Sequence, residues 1–263
     1  MAWLRVHFHS ETLRMPTAME VLLPQRGAGP RMTDEPGPYP TLYLLHDLGE
    51  DQTAWIRRSS IERYAEGRPL AVVMPAGHRS WYADMAFGRN YSRFLAEELP
   101  SFCERMYPLS TAREQRYIAG CGMGGYGAVN AALQAPERFA LAASFSGALD
   151  AANADDRLSP ELARDVFGGE ERGGRGDLFA AAQALAGTNR PRPEIMLWCG
   201  SGDPVREANV RFRDLAVTIG LPVEYEVGPG APAWASWDRC VERLIDRLAP
   251  REPEGQGGTP PWH

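Results

Sequence analysis

The chain of 263 residues contains no lysine; all 28 of its Lys-plus-Arg positions are arginine. Without an ε-amino group, Schiff-base chemistry on lysine and a Walker-type phosphate loop are both excluded. Histidine is almost as scarce. The five are His7, His9, His46, His78 and His263, so no imidazole lies between position 78 and the last residue. Positive charge is in deficit too: a net charge of −6 gives no basic face for nucleic acid. No apolar run approaches the roughly 18 residues that a membrane span needs. The opening Met1-Ala-Trp-Leu-Arg-Val-His-Phe-His-Ser10 lacks the basic start and apolar core of a signal peptide. Cysteine is limited to Cys103, Cys121, Cys199 and Cys240, with no CxxC pair, the pattern of buried reduced thiols. These absences lead us to expect a cytoplasmic protein with no membrane partner, no nucleic-acid partner, no cofactor and no metal.

What is present is a globular composition, 44% hydrophobic and 24% charged, in a chain long enough for one large core. Short apolar runs alternate with longer amphipathic segments. The runs are Leu42-Tyr43-Leu44-Leu45, Ala71-Val72-Val73-Met74, Arg116-Tyr117-Ile118-Ala119, Ala142-Ala143-Ser144-Phe145 and Ile195-Met196-Leu197-Trp198. Each is too short for a stable helix and reads as a buried strand. Helices are expected over 91–107, 125–135, 208–219 and 237–248. Strands alternating with helices imply an α/β fold with a mainly parallel sheet covered on both faces. Segments 4–10 and 18–23 alternate like exposed antiparallel strands. Residues 151–192 lack strand patterning and are expected to form a small helical cap. A single domain over 1–250 is expected, followed by a disordered tail over 251–263.

The sharpest motif is Tyr117-Ile118-Ala119-Gly120-Cys121-Gly122-Met123-Gly124-Gly125-Tyr126. A strand runs into a glycine-crowded turn and then a helix, the setting of the nucleophile elbow G-x-S-x-G. Gly120 and Gly124 supply the small flanks that let strand and helix approach. Where the serine belongs stands Gly122.

With these residues in view, the chain resembles the esterase D family, which includes S-formylglutathione hydrolases, small acyl esterases and mycobacterial mycolyltransferases. The resemblance runs from about Leu4 to Leu248. It rests on Tyr43-Leu44-Leu45-His46, Trp55-Ile56-Arg57-Arg58 with Ile61-Glu62-Arg63-Tyr64, Val73-Met74-Pro75 and Phe94-Leu95-Ala96-Glu97-Glu98-Leu99-Pro100. It continues through the elbow, Phe145-Ser146-Gly147-Ala148-Leu149-Asp150, Trp198-Cys199-Gly200-Ser201-Gly202-Asp203, and Gly228-Pro229-Gly230 with Trp234 and Trp237-Asp238. It implies an α/β-hydrolase fold and a triad in the chain order nucleophile, acid, histidine. The acid maps onto Asp203, which is retained. The serine maps onto Gly122 and the histidine onto Pro232. Oxyanion-hole donors map onto the backbone N–H groups of Leu48 and Met123. Asp47 stands where the family usually has glycine; a carboxylate there would oppose a developing oxyanion by about 4 kcal/mol at ~4 Å and intermediate dielectric.

A glycine has no attacking atom and a proline ring accepts no proton. The resemblance therefore implies a catalytically deficient esterase-family protein that keeps a pocket for an acyl-ester or sugar-ester ligand. Two other readings compete. One is a weakly active or rerouted hydrolase of small acyl esters, using Cys121 or His78 in rescue. The other is a regulatory module that pairs with an active paralogue or with a second copy of itself. Cys121 is more readily a small buried hydrophobe, and His78 a surface loop histidine. The run His46-Asp47-Leu48-Gly49-Glu50-Asp51 holds four potential cation ligands but reads more simply as a solvated acidic loop. Trp234 and Trp237 read as core packing. Asp203, deprived of its histidine, is expected to bond to Arg206 or to backbone N–H groups. A positive φ is expected at Gly122, which only glycine adopts without strain.

Overall fold

A computed structural model describes residues 1–27, 29, 32–151, 158–168, 174 and 176–251. Its centre is an eight-stranded sheet in the order β1-β2-β4-β3-β5-β6-β7-β8. β1 (Ala2–Ser10) and β2 (Met15–Leu23) form an antiparallel hairpin, and β2 runs antiparallel to β4 (Ala71–Pro75). From β4 through β3 (Thr41–Leu45), β5 (Arg116–Cys121), β6 (Leu141–Phe145), β7 (Glu194–Gly200) and β8 (Val223–Gly228) every pairing is parallel. Parallel strands need crossovers, and the helices supplying them cover both faces.

The central strands are apolar throughout because both sides are buried. In β3, Tyr43 and Leu45 enter one core with Ile118, Met123, Phe139 and Phe212. Leu42 and Leu44 point the other way, among Trp55, Ala119, Cys121, Phe145 and Leu244. This period-two division places successive residues of each strand in different cores. β1 alternates between half-buried and exposed positions, as its sequence suggests. β2 departs from that expectation: from Met19 to Leu22 it is fully covered. The buried Glu20 within it is held by Trp3 Nε1 at 2.6 Å and Arg5 Nε at 2.7 Å, so its carboxylate is paired inside the sheet.

On the flanks lie α1 (Ala54–Arg58), α2 (Ile61–Ala65), α3 (Tyr91–Arg93), α4 (Leu99–Met106) and α5 (Met123–Gln134). They are followed by α6 (Pro160–Phe167), α7 (Leu178–Ala186), α8 (Arg206–Thr218) and α9 (Trp234–Leu248). Segment 91–106 is helical as expected, but Phe94–Glu98 forms a π-turn between α3 and α4. Pro100 explains it: the ring lacks an N–H and crowds the carbonyl four residues back, and the wider turn relieves that crowding. β8 went unassigned from sequence, although its Val-Glu-Tyr-Glu-Val alternation carries the signal. At this edge Glu226 is paired by Arg243, and Glu224 by Arg247.

The segment expected to form a cap contains α6 and α7, and α7 packs beside α5. Residues 152–157, 169–173 and 175 of that expectation, and residues 252–263 of the expected tail, lie outside the described residues. Among the described residues, no helix is long and apolar enough to cross a membrane.

The close contact that positions the site is between the end of β5 and the start of α5. A Cβ on Gly120 would fall 2.5 Å from the Gly124 carbonyl carbon, and a Cβ on Gly124 would fall 2.5 Å from the Leu45 carbonyl oxygen. Backbone cannot yield as a flexible side chain can. Gly120→Ala is therefore expected to cost about 3 kcal/mol, at the upper end of overpacking penalties, measured as a shift in the urea midpoint at unchanged slope.

Candidate active site

All the parallel strands end on the same side of the sheet, and the residues singled out by motif gather there. Gly122 follows β5 as the N-cap of α5, with φ +54° and ψ −114°. The positive φ matches the elbow expectation. Its N–H donates to Phe145 O at 3.0 Å, and its carbonyl accepts from Tyr126 N at 3.1 Å and Ala148 N at 3.3 Å. The turn is thus anchored to β6 on one side and α5 on the other.

The space above Gly122 holds a side chain from elsewhere. Asp47, on the loop after β3, reaches over the turn, and its Oδ1 accepts a hydrogen bond from Met123 N at 2.7 Å. A Cβ built on Gly122 would fall 2.6 Å from Asp47 Oδ2 and closer still to Cγ and Oδ1. The carboxylate therefore points into the turn and takes the Met123 N–H, one of the two donors assigned to the oxyanion hole by resemblance. Leu48, the other, is half-buried beside it. The expectation of a solvated acidic loop fails at Asp47. Further along, Asp51 is exposed as expected and faces Arg57, whereas Glu50 is largely covered and pairs with Arg57 and Arg58.

His46 does not face this turn as a base. It is 1% exposed, its Nδ1 donates to Asp47 O at 2.8 Å and its Nε2 accepts from Gly77 N at 2.9 Å. Both ring nitrogens are committed in the neutral tautomer, so His46 straps the loop after β3 to the loop after β4. Tyr82 adds a second strap, its hydroxyl oxygen accepting from His46 N at 3.0 Å. Sequence reasoning missed this strap. Nothing local in Gly77 or Tyr82 reveals the pairing, because the two loops are neighbours only in the folded sheet.

His78 is exposed, with its ring 6.2 Å from that of Tyr91. It lies after β4, at φ +50°, in a loop where Trp81 and Tyr82 also take positive φ, at +56° and +51°. Bulky residues there carry strain, and burial of both aromatics holds them in place. Cys121 is fully buried in the core on the opposite face of the sheet from Met123. It therefore does not join the turn.

Asp203 follows β7 and is 6% exposed. Its Oδ1 accepts from Val205 N at 3.1 Å, the backbone partner expected, while Oδ2 is buried with no hydrogen-bond partner among the described residues. The Arg206 guanidinium does not bond to it. The loop bearing Pro232 is stitched to the same strand end: Ser201 N donates to Gly228 O and Gly202 N to Gly230 O, both at 2.8 Å. Pro232 is half-buried. Next to it, Trp234 packs edge-on between Trp55 and Trp237, with centroids 5.0 and 5.4 Å away, and Trp237 Nε1 donates to Ser146 Oγ at 3.1 Å. These indoles pack as expected. Cavities of 470, 850 and 200 Å³ lie respectively between β8 and α9, against α5 and α7, and beside the Asp150–Arg211 pair. None of the three is lined by Gly122, Asp203 or Pro232.

A mainly parallel sheet with a sharp glycine-flanked turn between its central strand and helix defines an α/β hydrolase. Within that class, the chain belongs to the family described as "Putative esterase", whose pattern matches residues 10–246. It is 27% identical over 264 residues to an acetyl esterase of Caldicellulosiruptor saccharolyticus, covering 95% of this chain and 98% of that protein. The S-formylglutathione hydrolase structure from Staphylococcus aureus superposes with a TM-score of 0.81 at 30% identity, covering 94% of this chain and 98% of that one. The diacylglycerol acyltransferase/mycolyltransferase Ag85A of Mycobacterium bovis is 26% identical over 222 residues, covering 66% of this chain and 62% of that protein. The family gives this chain an esterase-type function class.

Burial lowers the pKa of His46 from 6.5 to about 4. Between those values the unfolded chain takes up a proton that the folded chain refuses. The stability contributed by neutral His46 is therefore complete above pH 6.5 and is lost as the pH falls toward 4. The loss should amount to about 3 kcal/mol. Urea denaturation from pH 7 to pH 4 should show it, and His46→Gln should flatten that part of the profile.

Proposed function

We propose that this esterase-family chain is catalytically deficient and retains the scaffold as a binding module for a small acyl-ester or sugar-ester ligand. The observation that carries the reading is Gly122: the apex of an intact elbow, with the expected positive φ, bears no side chain. In this reading Gly122 stands at the nucleophile position, Pro232 at the histidine position and Asp203 is the retained acid. Asp203 Oδ2, without a partner among the described residues, supports it, since a triad acid normally bonds to an imidazole there. His46, locked between two loops, offers no substitute base, and Cys121 lies in the opposite core.

Removing the serine or the histidine of a triad costs on the order of a millionfold in turnover, and further losses add little. Oxyanion stabilisation and binding alone leave roughly a thousandfold over water. Here one donor of that hole is already taken by Asp47. The ligand class follows the relatives, of which one is an acetyl esterase. The four cysteines are all buried and form no disulfide among the described residues, which supports a reducing, cytoplasmic setting.

Purified protein should hydrolyse p-nitrophenyl acetate no faster than about a thousandfold over buffer, and a fluorophosphonate probe should leave no covalent adduct. Turnover above that level which disappears in Cys121→Ala or His78→Ala would replace this reading with that of a rerouted hydrolase.

A further inference from the structure

α5 is a twelve-residue helix whose first N–H groups carry partial positive charge and have no intrahelical acceptor. In an active elbow this end of the helix receives the negative oxygen that forms during acyl transfer. Here Met123 N, the first residue of α5, donates to the Asp47 carboxylate at 2.7 Å. The helix end thus already holds an anion, supplied by the chain itself.

The same carboxylate fills the volume that any side chain at position 122 would need. A Cβ there would stand 2.6 Å from Asp47 Oδ2, with Oδ1 and Cγ nearer. Moving Asp47 aside is costly at its base. Its carbonyl oxygen accepts both from His46 Nδ1 at 2.8 Å and from Glu50 N at 3.2 Å, and His46 is itself pinned by Gly77 and Tyr82. The loop therefore delivers the carboxylate from a fixed root.

We propose that Asp47 and Gly122 form one interlocked unit, in which the Asp47 carboxylate is the resident anion of the elbow and keeps external anions off the Met123 N–H. Gly122 is then the residue that makes room for this plug as well as the residue that lacks a nucleophile. The inference rests on reading the turn as the elbow of an esterase. It adds that the nucleophile's place is filled as well as disarmed, so restoring a serine alone meets Asp47 rather than open space.

The test uses the full chain with Asp47→Gly, and with Asp47→Ser as a second variant that keeps a small polar group should the glycine loosen the loop. Gly122→Ser is introduced into the parent and into each variant. Gly122→Ser is expected to lower the melting temperature of the parent by at least about 4 °C more than it lowers that of the Asp47 variants, as expected for neighbouring, coupled positions in a chain this long. In parallel, sodium butyrate is titrated against sodium chloride at equal ionic strength, with saturable binding followed by calorimetry. Butyrate should bind both Asp47 variants at least about tenfold more tightly than the parent, a difference that a vacated anion site supports. An equal cost of Gly122→Ser in all backgrounds would overturn the interlock, as would equal butyrate affinity across the parent and both variants or binding to none of them. Ester turnover by the parent decides the catalytic reading, whereas the melting-temperature coupling decides the contact, so failure of one is distinguishable from failure of the other.

Discussion

The structure turns on how closely α5 can follow β5. Two glycines, Gly120 and Gly124, bring the helix start against the strand end and against the Leu45 carbonyl. Gly122 between them supplies a positive φ that a residue with a Cβ adopts only under strain. Once that corner is made, the N-terminus of α5 points at whatever lies above the sheet. The loops after β3, β4, β6, β7 and β8 all converge there because their strands run parallel. Function in such a fold is set by the loops that meet at this end, and the sheet merely delivers them.

Two carboxylates record what occupies that meeting point. Asp47 is satisfied by a backbone N–H at the helix end, a charge-assisted bond in a favourable field. Among the described residues Asp203 is only half satisfied, with one oxygen on Val205 N and the other buried without a partner. A buried oxygen left this way is unfavourable unless something bonds there. The contrast sets a carboxylate that caps the start of α5 against one whose second oxygen has no partner among the described residues. His46 belongs to the same picture. Both of its nitrogens serve architecture, tying two loops together in a buried neutral ring.

Much of the fold was legible because it obeys local rules. The central strands read as unbroken apolar runs since both faces are buried, and α5 read as a helix following a glycine-crowded turn. The edges were harder. Alternation over 18–23 suggests an exposed strand, and the pairing of Glu20 with Trp3 and Arg5 exists only across the hairpin register. In β8 the alternation is clear, but Glu224 and Glu226 make the segment as polar as a loop. The π-turn at Phe94–Glu98 follows from Pro100 in retrospect, yet a proline predicts a break as readily as a widened turn.

The sequence by itself determined which chemical groups exist: no lysine, no imidazole in the second two-thirds short of the last residue, and glycine at the apex of the elbow. Those are absences, and no arrangement in space can reverse them. Where the remaining groups point was decided by tertiary structure alone. Asp47 and Gly122 are distant along the chain, and only the parallel pairing of β3 with β5 sets them side by side. Whether Asp47 faced solvent or the helix end therefore depended on sheet register and on the His46 strap, neither of which a linear reading encodes.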